Sequence, residues 1–355
     1  MARTTAVDVL VVSLGSTEGL RRADDELQDS LRRAGASVAI ARPFPPAEIP
    51  TLMLTDLVWA HAARDAAKKI LEHQRRCPAR SVIYSSTTAA LLWPRPGAIR
   101  FDATSAGNRP GRHGLWQRPL ERRRLRQAPL LLPWSEAGLR EAPQAAQRGD
   151  RAVVLPVPVE ASSAPDSSPP AASQTVRDIA AITYAANPSK KGLDRVLSAW
   201  CQARADRRAG APEEELIVAG ASAEALERAL PVGREQDGVR VVGALAPQDY
   251  RELLRRARVF VCAPRREDYG IAQLEALADG AQLVTTPAPG PYVALPIARE
   301  LDPRLVTEEL AGALRVALDD PLADYASRAR RALAPFSREA ADRVVSQELL
   351  PRLLA

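Results

Sequence analysis

The sequence predicts an α/β protein made of two β-α-β domains in tandem, and three observations predict it. Short apolar runs of strand length alternate with longer segments whose apolar residues recur at helical spacing. The alternation is interrupted near the middle by a stretch rich in Pro, Ser and Ala, from Ala161 to Gln174. The chain's 355 residues also exceed what one ordinary core holds, so two domains are expected.

The first element is the continuous apolar run from Val7 to Leu14, the pattern of a parallel strand buried on both faces. Gly15 to Gly19 reads as a flexible turn, followed by a helix with Leu20, Leu27 and Leu31 on its stripe and a second strand at Ser37–Ala41. This is a Rossmann-like opening. Asp56 to Gln74 reads as a helix and Arg80–Tyr84 as the next strand. Short strands at Ala98–Phe101 and Pro129–Pro133 flank a helix around Leu120–Arg126. The Pro/Ser/Ala stretch cannot bury a core and reads as a hinge or exposed connector. A second α/β unit then opens with a strand at Asp178–Tyr184. The Asn187–Gly192 turn introduces a helix carrying Leu193, Val196, Leu197 and Trp200. Strands at Glu215–Ala219 and Val239–Val242, a helix at Pro247–Arg258, and a strand at Gln282–Thr286 complete the pattern. The expected boundaries are an N-terminal domain at 1–158, a linker at 159–176 and a C-terminal domain at 177–336. A final helix at 337–355 has no strand of its own and is expected to pack back on the first domain.

The composition, 46% hydrophobic and 26% charged, is that of a water-soluble globular chain. No apolar run approaches a membrane span and no signal-peptide core precedes the first strand, so a cytoplasmic protein is expected. Cys77, Cys201 and Cys262 lack paired spacing, and the histidines are His61, His73 and His113, which indicates neither a disulfide framework nor a metal site. The net charge of +6 points to an anionic substrate or surface, a phosphate ligand or an anionic membrane face. Arg122, Arg123 and Arg124 spread around a helix, and no aromatic interleaving or zinc-finger spacing accompanies them. Nucleic acid is therefore not an expected partner.

The most informative stretch runs from Glu267 through Tyr269, Gly270 and Ile271 to Glu275 and Gly280. It follows the apolar strand Arg258–Pro264 and places two carboxylates eight residues apart around a helix start. Unpaired N–H groups and the helix dipole there make an anion site. Carboxylates on both sides suit a ligand that also carries hydroxyls, and a nucleotide sugar is such a ligand. Taken alone, Lys191 reads equally as an exposed lysine before a helix.

With Lys191-Gly192, Leu216–Gly220, Val241–Gly243, the Ala257–Val261 strand, Glu267, Gly270, Glu275-Ala276 and Gly280 in order, the second half resembles the family 4 glycosyltransferases. These are retaining enzymes of the two-domain GT-B fold, and the resemblance covers most of residues 178–290. It implies two Rossmann-like domains facing each other across a cleft. It implies that Glu267 contacts the donor sugar and Lys191, with Lys190 beside it, the pyrophosphate; these two are the catalytic candidates Glu267 and Lys191. Glu275 would bind the ribose hydroxyls. The amides around Tyr269, Gly270 and Ile271, with Gly243 and the Gly15 turn, would complete the donor site. The family's usual Arg before the Lys is replaced by Ala185, and its usual N-domain His corresponds to a strand offering Tyr84 or Ser85. On the acceptor side the candidates are Tyr84, Ser85, Asp102 and His113, the last in a long loop that also holds Trp116. The implied activity is metal-independent, retaining transfer of a sugar from a UDP- or GDP-linked donor to a glycan, lipid or small-molecule hydroxyl, with no cofactor. The protein would be cytoplasmic or peripheral at the inner membrane face. The rival is a non-catalytic GT-B module that binds a nucleotide sugar or supports a partner enzyme.

Overall fold

The computed structural model describes residues 7–44, 52–73, 78–147, 150–162, 176–206, 213–230 and 238–355, with backbone alone at 52, 53 and 73. The core of the stretch read as a connector, 163–175, lies outside them, as does Cys77. The chain divides into two compact units, Met1–Pro158 with Pro335–Ala355, and Val159–Ala334.

In the first unit the elements are β1 (Val9–Val12), α1 (Glu18–Arg33), β2 (Val38–Ala41), α2 (Leu52–His73), β3 (Ser81–Tyr84), α3 (Thr87–Ala90), β4 (Ala98–Phe101), α4 (Ser105–Asn108), α5 (Gln117–Gln127), β5 (Leu131–Pro133) and α6 (Glu136–Glu141). The five strands pair in the order β2-β1-β3-β4-β5, and every pair is parallel. Strand periodicity divides the core in two. Leu10, Val12, Tyr84, Ile99 and Phe101 pack on one face with Ala63, Ala67 and Leu125 of the covering helices. Val9, Val11, Ile83 and Leu132 pack on the other with Leu27 and Leu31 of α1.

The second unit runs β6 (Ile179–Tyr184), α7 (Pro188–Lys191), α8 (Leu193–Ala205), β7 (Leu216–Ala219), α9 (Ala223–Ala229), β8 (Val239–Gly243), α10 (Pro247–Arg256), β9 (Ala257–Cys262), α11 (Ile271–Ala278), β10 (Gln282–Thr285), α12 (Ala294–Leu301), α13 (Leu310–Asp319) and α14 (Tyr325–Ala332). Its sheet order is β10-β9-β6-β7-β8, again all parallel. The chain leaves β6 toward β7 on one side and returns through β9 on the other. The topological switch point, where α/β sheets bind ligands at their strand carboxyl ends, therefore lies between β6 and β9.

The last helical segment is α15 (Arg338–Val344), a π turn at Val345–Leu349 and α16 (Leu350–Leu354). It belongs to the first unit. Val345 and Leu349 are fully buried on the α1 face of the sheet, and Asp342 accepts from Arg33 at 2.7 and 2.9 Å and from Ser30 at 2.5 Å. Among the described residues no helix is long and apolar enough to cross a membrane.

Sequence and structure differ locally in the first unit. The turn after β1 is shorter than expected: Thr17 caps α1 by accepting from Leu20 N–H, so Glu18 and Gly19 are already helical. The expected long loop at 108–114 is largely helical, with α4 before it and a 3₁₀ turn at Gly111–Gly114.

Candidate functional site

The loops that follow β6 and β9 meet at the switch point of the second sheet. After β6, Asn187 caps α7 by accepting from Lys190 N–H at 3.0 Å, and the helix ends at Gly192 in a left-handed conformation, φ 65°. A Cβ on Gly192 would stand 2.0 Å from the Ala263 carbonyl oxygen at the end of β9. Only glycine lets the two loops touch so closely. The loops are also tied by Arg265 N–H donating to Lys190 O at 3.0 Å.

That contact brings the lysines to the acidic turn. Lys191 Nζ donates to Glu267 Oε2 at 2.6 Å, and Lys190 Nζ to Asp268 Oδ2 at 2.7 Å. Gln273 Nε2 donates to the same Glu267 oxygen at 3.0 Å, and Arg266 Nε donates to Asp268 Oδ1 at 2.9 Å. Glu267 Oε1 thus keeps its lone pairs, with no hydrogen-bond partner among the described residues. The Glu267 backbone is held from behind, its N–H donating to Pro289 O at 3.0 Å, and Gly290 has no room for a Cβ against the Glu267 carbonyl. Behind Gln273 lies a buried set in which Cys262 Sγ is 3.6 Å from both Gln273 Nε2 and the Tyr292 hydroxyl, and that hydroxyl is 2.9 Å from Thr285 Oγ1. Burial pushes both the Cys262 thiol and the Tyr292 phenol up, so both stay protonated.

Gly270, at φ 95°, takes the N-cap position of α11 and offers no side-chain cap. The first-turn N–H groups at Ile271, Ala272 and Gln273 are thereby left for a ligand or water. Tyr269 is buried, and its carbonyl accepts from Val293 N–H at 3.1 Å.

Glu275 holds a separate partner set from Glu267. It lies two residues beyond Gln273 on α11, about 200° around the helix. Its Oε1 is 3.4 Å from Arg251 of α10, which also donates to Asp279 at 2.9 Å and to Ser162 Oγ at 2.8 Å. Burial raises the Asp279 pKa, and Arg251 and Ser162 oppose that shift.

The remaining sequence candidates are dispersed. Gly243 closes β8 at φ 68°, its carbonyl accepting from Gly220 N–H at 2.7 Å. Gly15 closes β1 at φ 59°, its carbonyl accepting from Arg21 at 2.8 Å. Tyr84 does not offer its hydroxyl to a ligand: the residue is fully buried, its OH donates to Arg95 O at 2.7 Å, and its ring packs 5.7 Å from Trp93. Strand parity turns it into the core. Ser85 is buried beside it, next to Asp24 at the end of β3. Asp102 spends one oxygen on Ala103 N–H at 2.8 Å, and His113 is exposed on the 3₁₀ turn. Ala185, where an arginine was expected, is buried, with its N–H donating to Ala219 O at 2.8 Å. Sequence reasoning did not single out Asp268, Gln273 or Arg251. The available signals were a second acid beside Glu267 and a lone amide within an apolar helix.

Residues 178–334 match the model of the family described as glycosyl transferases group 1. The second unit is a glycosyl transferases group 1 domain. Solved structures agree on the fold across both units. WaaG, a glycosyltransferase involved in lipopolysaccharide biosynthesis, is 17% identical, with 96% of this chain and 99% of that one covered and a TM-score of 0.62. Anabaena Alr3699/HepE in complex with UDP and glucose is 15% identical over 97% and 99%, with a TM-score of 0.64. Sucrose-phosphate synthase from Thermosynechococcus elongatus is 14% identical over 96% and 97%, with a TM-score of 0.68. The fold of this chain is GT-B. No curated protein matches the chain by sequence.

Proposed function

We propose that this protein is a glycosyltransferase that moves a sugar from a nucleoside-diphosphate sugar to an acceptor hydroxyl, retaining the anomeric configuration and using no metal ion. The observation that carries this reading is the Lys191–Glu267 pair at 2.6 Å, set at the switch point beside the uncapped start of α11. The diphosphate meets the first-turn N–H groups of α11 and the Lys191 ammonium, and Glu267 Oε1 accepts from a hydroxyl of the donor sugar. Glu275 accepts from the ribose hydroxyls. Lys190 and Arg266, which converge on Asp268, supply the cation that Ala185 lacks. Uridine is the base best supported, because the similar HepE structure holds UDP and glucose; a guanosine donor is the alternative.

In the transfer step the bond from the anomeric carbon to the β-phosphate oxygen breaks, and the bond to the acceptor oxygen forms on the same face. The acceptor proton passes to the departing phosphate. The charge that builds there is stabilised by Lys191 and the α11 dipole, so no protein nucleophile is required. Glu267 orients the donor. The reaction is carried out in the cytoplasm or against its membrane face, on a glycan, lipid or small-molecule acceptor.

The non-catalytic rival is favoured by the buried Ala185 and by Tyr84, which lies in the core on the strand where the resemblance implies a histidine. Chromatography of UDP released from UDP-glucose separates the two. Turnover by the wild-type protein, lowered at least ~100-fold by Lys191→Met or Glu267→Gln, supports the enzyme. UDP binding without release in the wild type, against a panel of UDP- and GDP-sugars and acceptors, selects the rival. Undiminished release by both variants removes the assigned roles.

A further inference from the structure

The first unit carries a cavity that the reading above does not use. It measures about 400 Å³ and lies between α5, the start of α4 and the segment after α6. Arg118, Arg122 and Arg126 of α5 line it together with Glu121, Glu141 and Thr104. The arginines recur every fourth residue, so they form one stripe about 12 Å long on a single helix face. Arg118 is anchored by donating to Gly111 O at 2.8 Å and Gly114 O at 3.2 Å. The Arg122 guanidinium has no partner among the described residues, and Arg126 spends only Nε, on the Arg122 carbonyl at 3.2 Å. Thr104 is 2% exposed, and its Oγ1 has no hydrogen-bond partner among the described residues.

The two acids in the wall each already hold a backbone amide. Glu121 accepts from Ser105 N–H at 2.9 and 3.1 Å and from Ser105 Oγ at 2.8 Å, and Glu141 accepts from Thr104 N–H at 3.1 Å. They occupy the N–H groups at the start of α4, which therefore offers no anion site of its own. Burial pushes the Glu121 carboxyl up, against the pull of those hydrogen bonds. Carboxylates in the wall repel a ligand that is only charge but accept from hydroxyls, whereas the free guanidinium forks hold phosphate or carboxylate oxygens.

We propose that this cavity binds a small oxyanion that also carries hydroxyl groups, of the sugar-phosphate class, at a site separate from the donor's. The oxyanion sits on Arg122 and Arg126, and the hydroxyls face Thr104 and Glu141. The same arginines could recognise a lipid headgroup, so the test includes a vesicle arm. Isothermal titration of the full chain with glucose 6-phosphate, glucose and inorganic phosphate uses wild type, the exposed-residue double variant R122Q/R126Q, and Lys191→Met. Expected is binding of glucose 6-phosphate in the wild type, weakened about tenfold or more in R122Q/R126Q and unchanged in Lys191→Met. UDP binding by R122Q/R126Q should equal wild type, which shows that the variant is folded and keeps this site's failure distinct from failure of the donor assignment. Absence of glucose 6-phosphate binding overturns the proposal, as does equal binding in R122Q/R126Q. Inorganic phosphate bound as tightly as glucose 6-phosphate overturns the hydroxylated class. Binding that requires phosphatidylglycerol–phosphatidylcholine vesicles, with none to the soluble phosphate, assigns the arginines to a membrane instead.

Discussion

Replacing Gly192 by alanine isolates the contact on which the whole candidate donor site hangs. Two costs add at this position. At φ 65° an L side chain suffers the left-handed penalty of about 1–2 kcal/mol. The new Cβ also falls 2.0 Å from the Ala263 carbonyl oxygen, far inside van der Waals contact. That oxygen is backbone at the end of a central strand, so relief requires moving α7 away from β9, an overpacking cost of about 1–3 kcal/mol. Together the variant loses about 2–5 kcal/mol, which for a unit of this size lowers its melting transition by roughly 4–20 °C. Gly243→Ala is the control: its φ is 68°, yet nothing lies within 4 Å of its Cβ position. It should lose only the conformational part, about 1–2 kcal/mol. Urea denaturation of the two variants beside wild type gives the difference directly. Equal losses in the two, or a Gly192→Ala protein within about 0.5 kcal/mol of wild type, would refute the claim that close approach fixes the Lys-Gly step. Since Lys190 and Lys191 precede this glycine, stabilisation by added UDP should also shrink in Gly192→Ala more than in Gly243→Ala.

Other outcomes follow from the same geometry. Arg251→Ala leaves Glu275 and Asp279 without their shared cation, each at most 4% exposed, and should cost about 3–5 kcal/mol by denaturant titration. The folded-state pKa of Asp279 is already raised, so the folded form holds its proton more tightly than the unfolded chain. Stability then falls as pH rises above the ordinary value of 3.8, and the Arg251→Ala deficit should be larger at pH 7.5 than near pH 4; an equal deficit at both excludes Asp279 as its source. Asp342 has the opposite sign. Its hydrogen bond from Arg33 lowers its pKa, so its contribution is complete above 3.8 and is lost as pH falls through the lower folded value. Asp342→Asn should therefore flatten the acid limb of the first unit's unfolding curve. Leu349→Ala empties a fully buried position on the α1 face and should cost about 2–5 kcal/mol, read from the denaturation midpoint.

Much of the fold was legible because parallel strands buried on both faces are short apolar runs, as at Val9–Val12 and Leu216–Ala219, and the helices between them keep their period. The acidic turn was legible because Glu267, Gly270 and Glu275 lie within nine residues of one strand-turn-helix unit. What the sequence hid was contact across the sheet. Nothing near Lys191 announces that its partner is 76 residues away, or that Gln273 shares the same oxygen. Tyr84 was misread because one residue of strand parity decides whether a side chain meets ligand or core. The loop holding His113 looked open because Gly, Pro and Arg at 109–114 conceal a 3₁₀ turn held by Arg118.

The last helical segment gives the chain an order of assembly. Residues 335–355 complete the first unit, so the second unit's entire sequence is threaded between two parts of its neighbour. During synthesis the second unit can close its own core while the α1 face of the first still lacks Val345 and Leu349. The later-encoded unit is therefore free to mature first, reversing the usual N-terminal precedence. Until residues 335–355 have been made, the β1–β5 sheet waits with part of its α1 face uncovered.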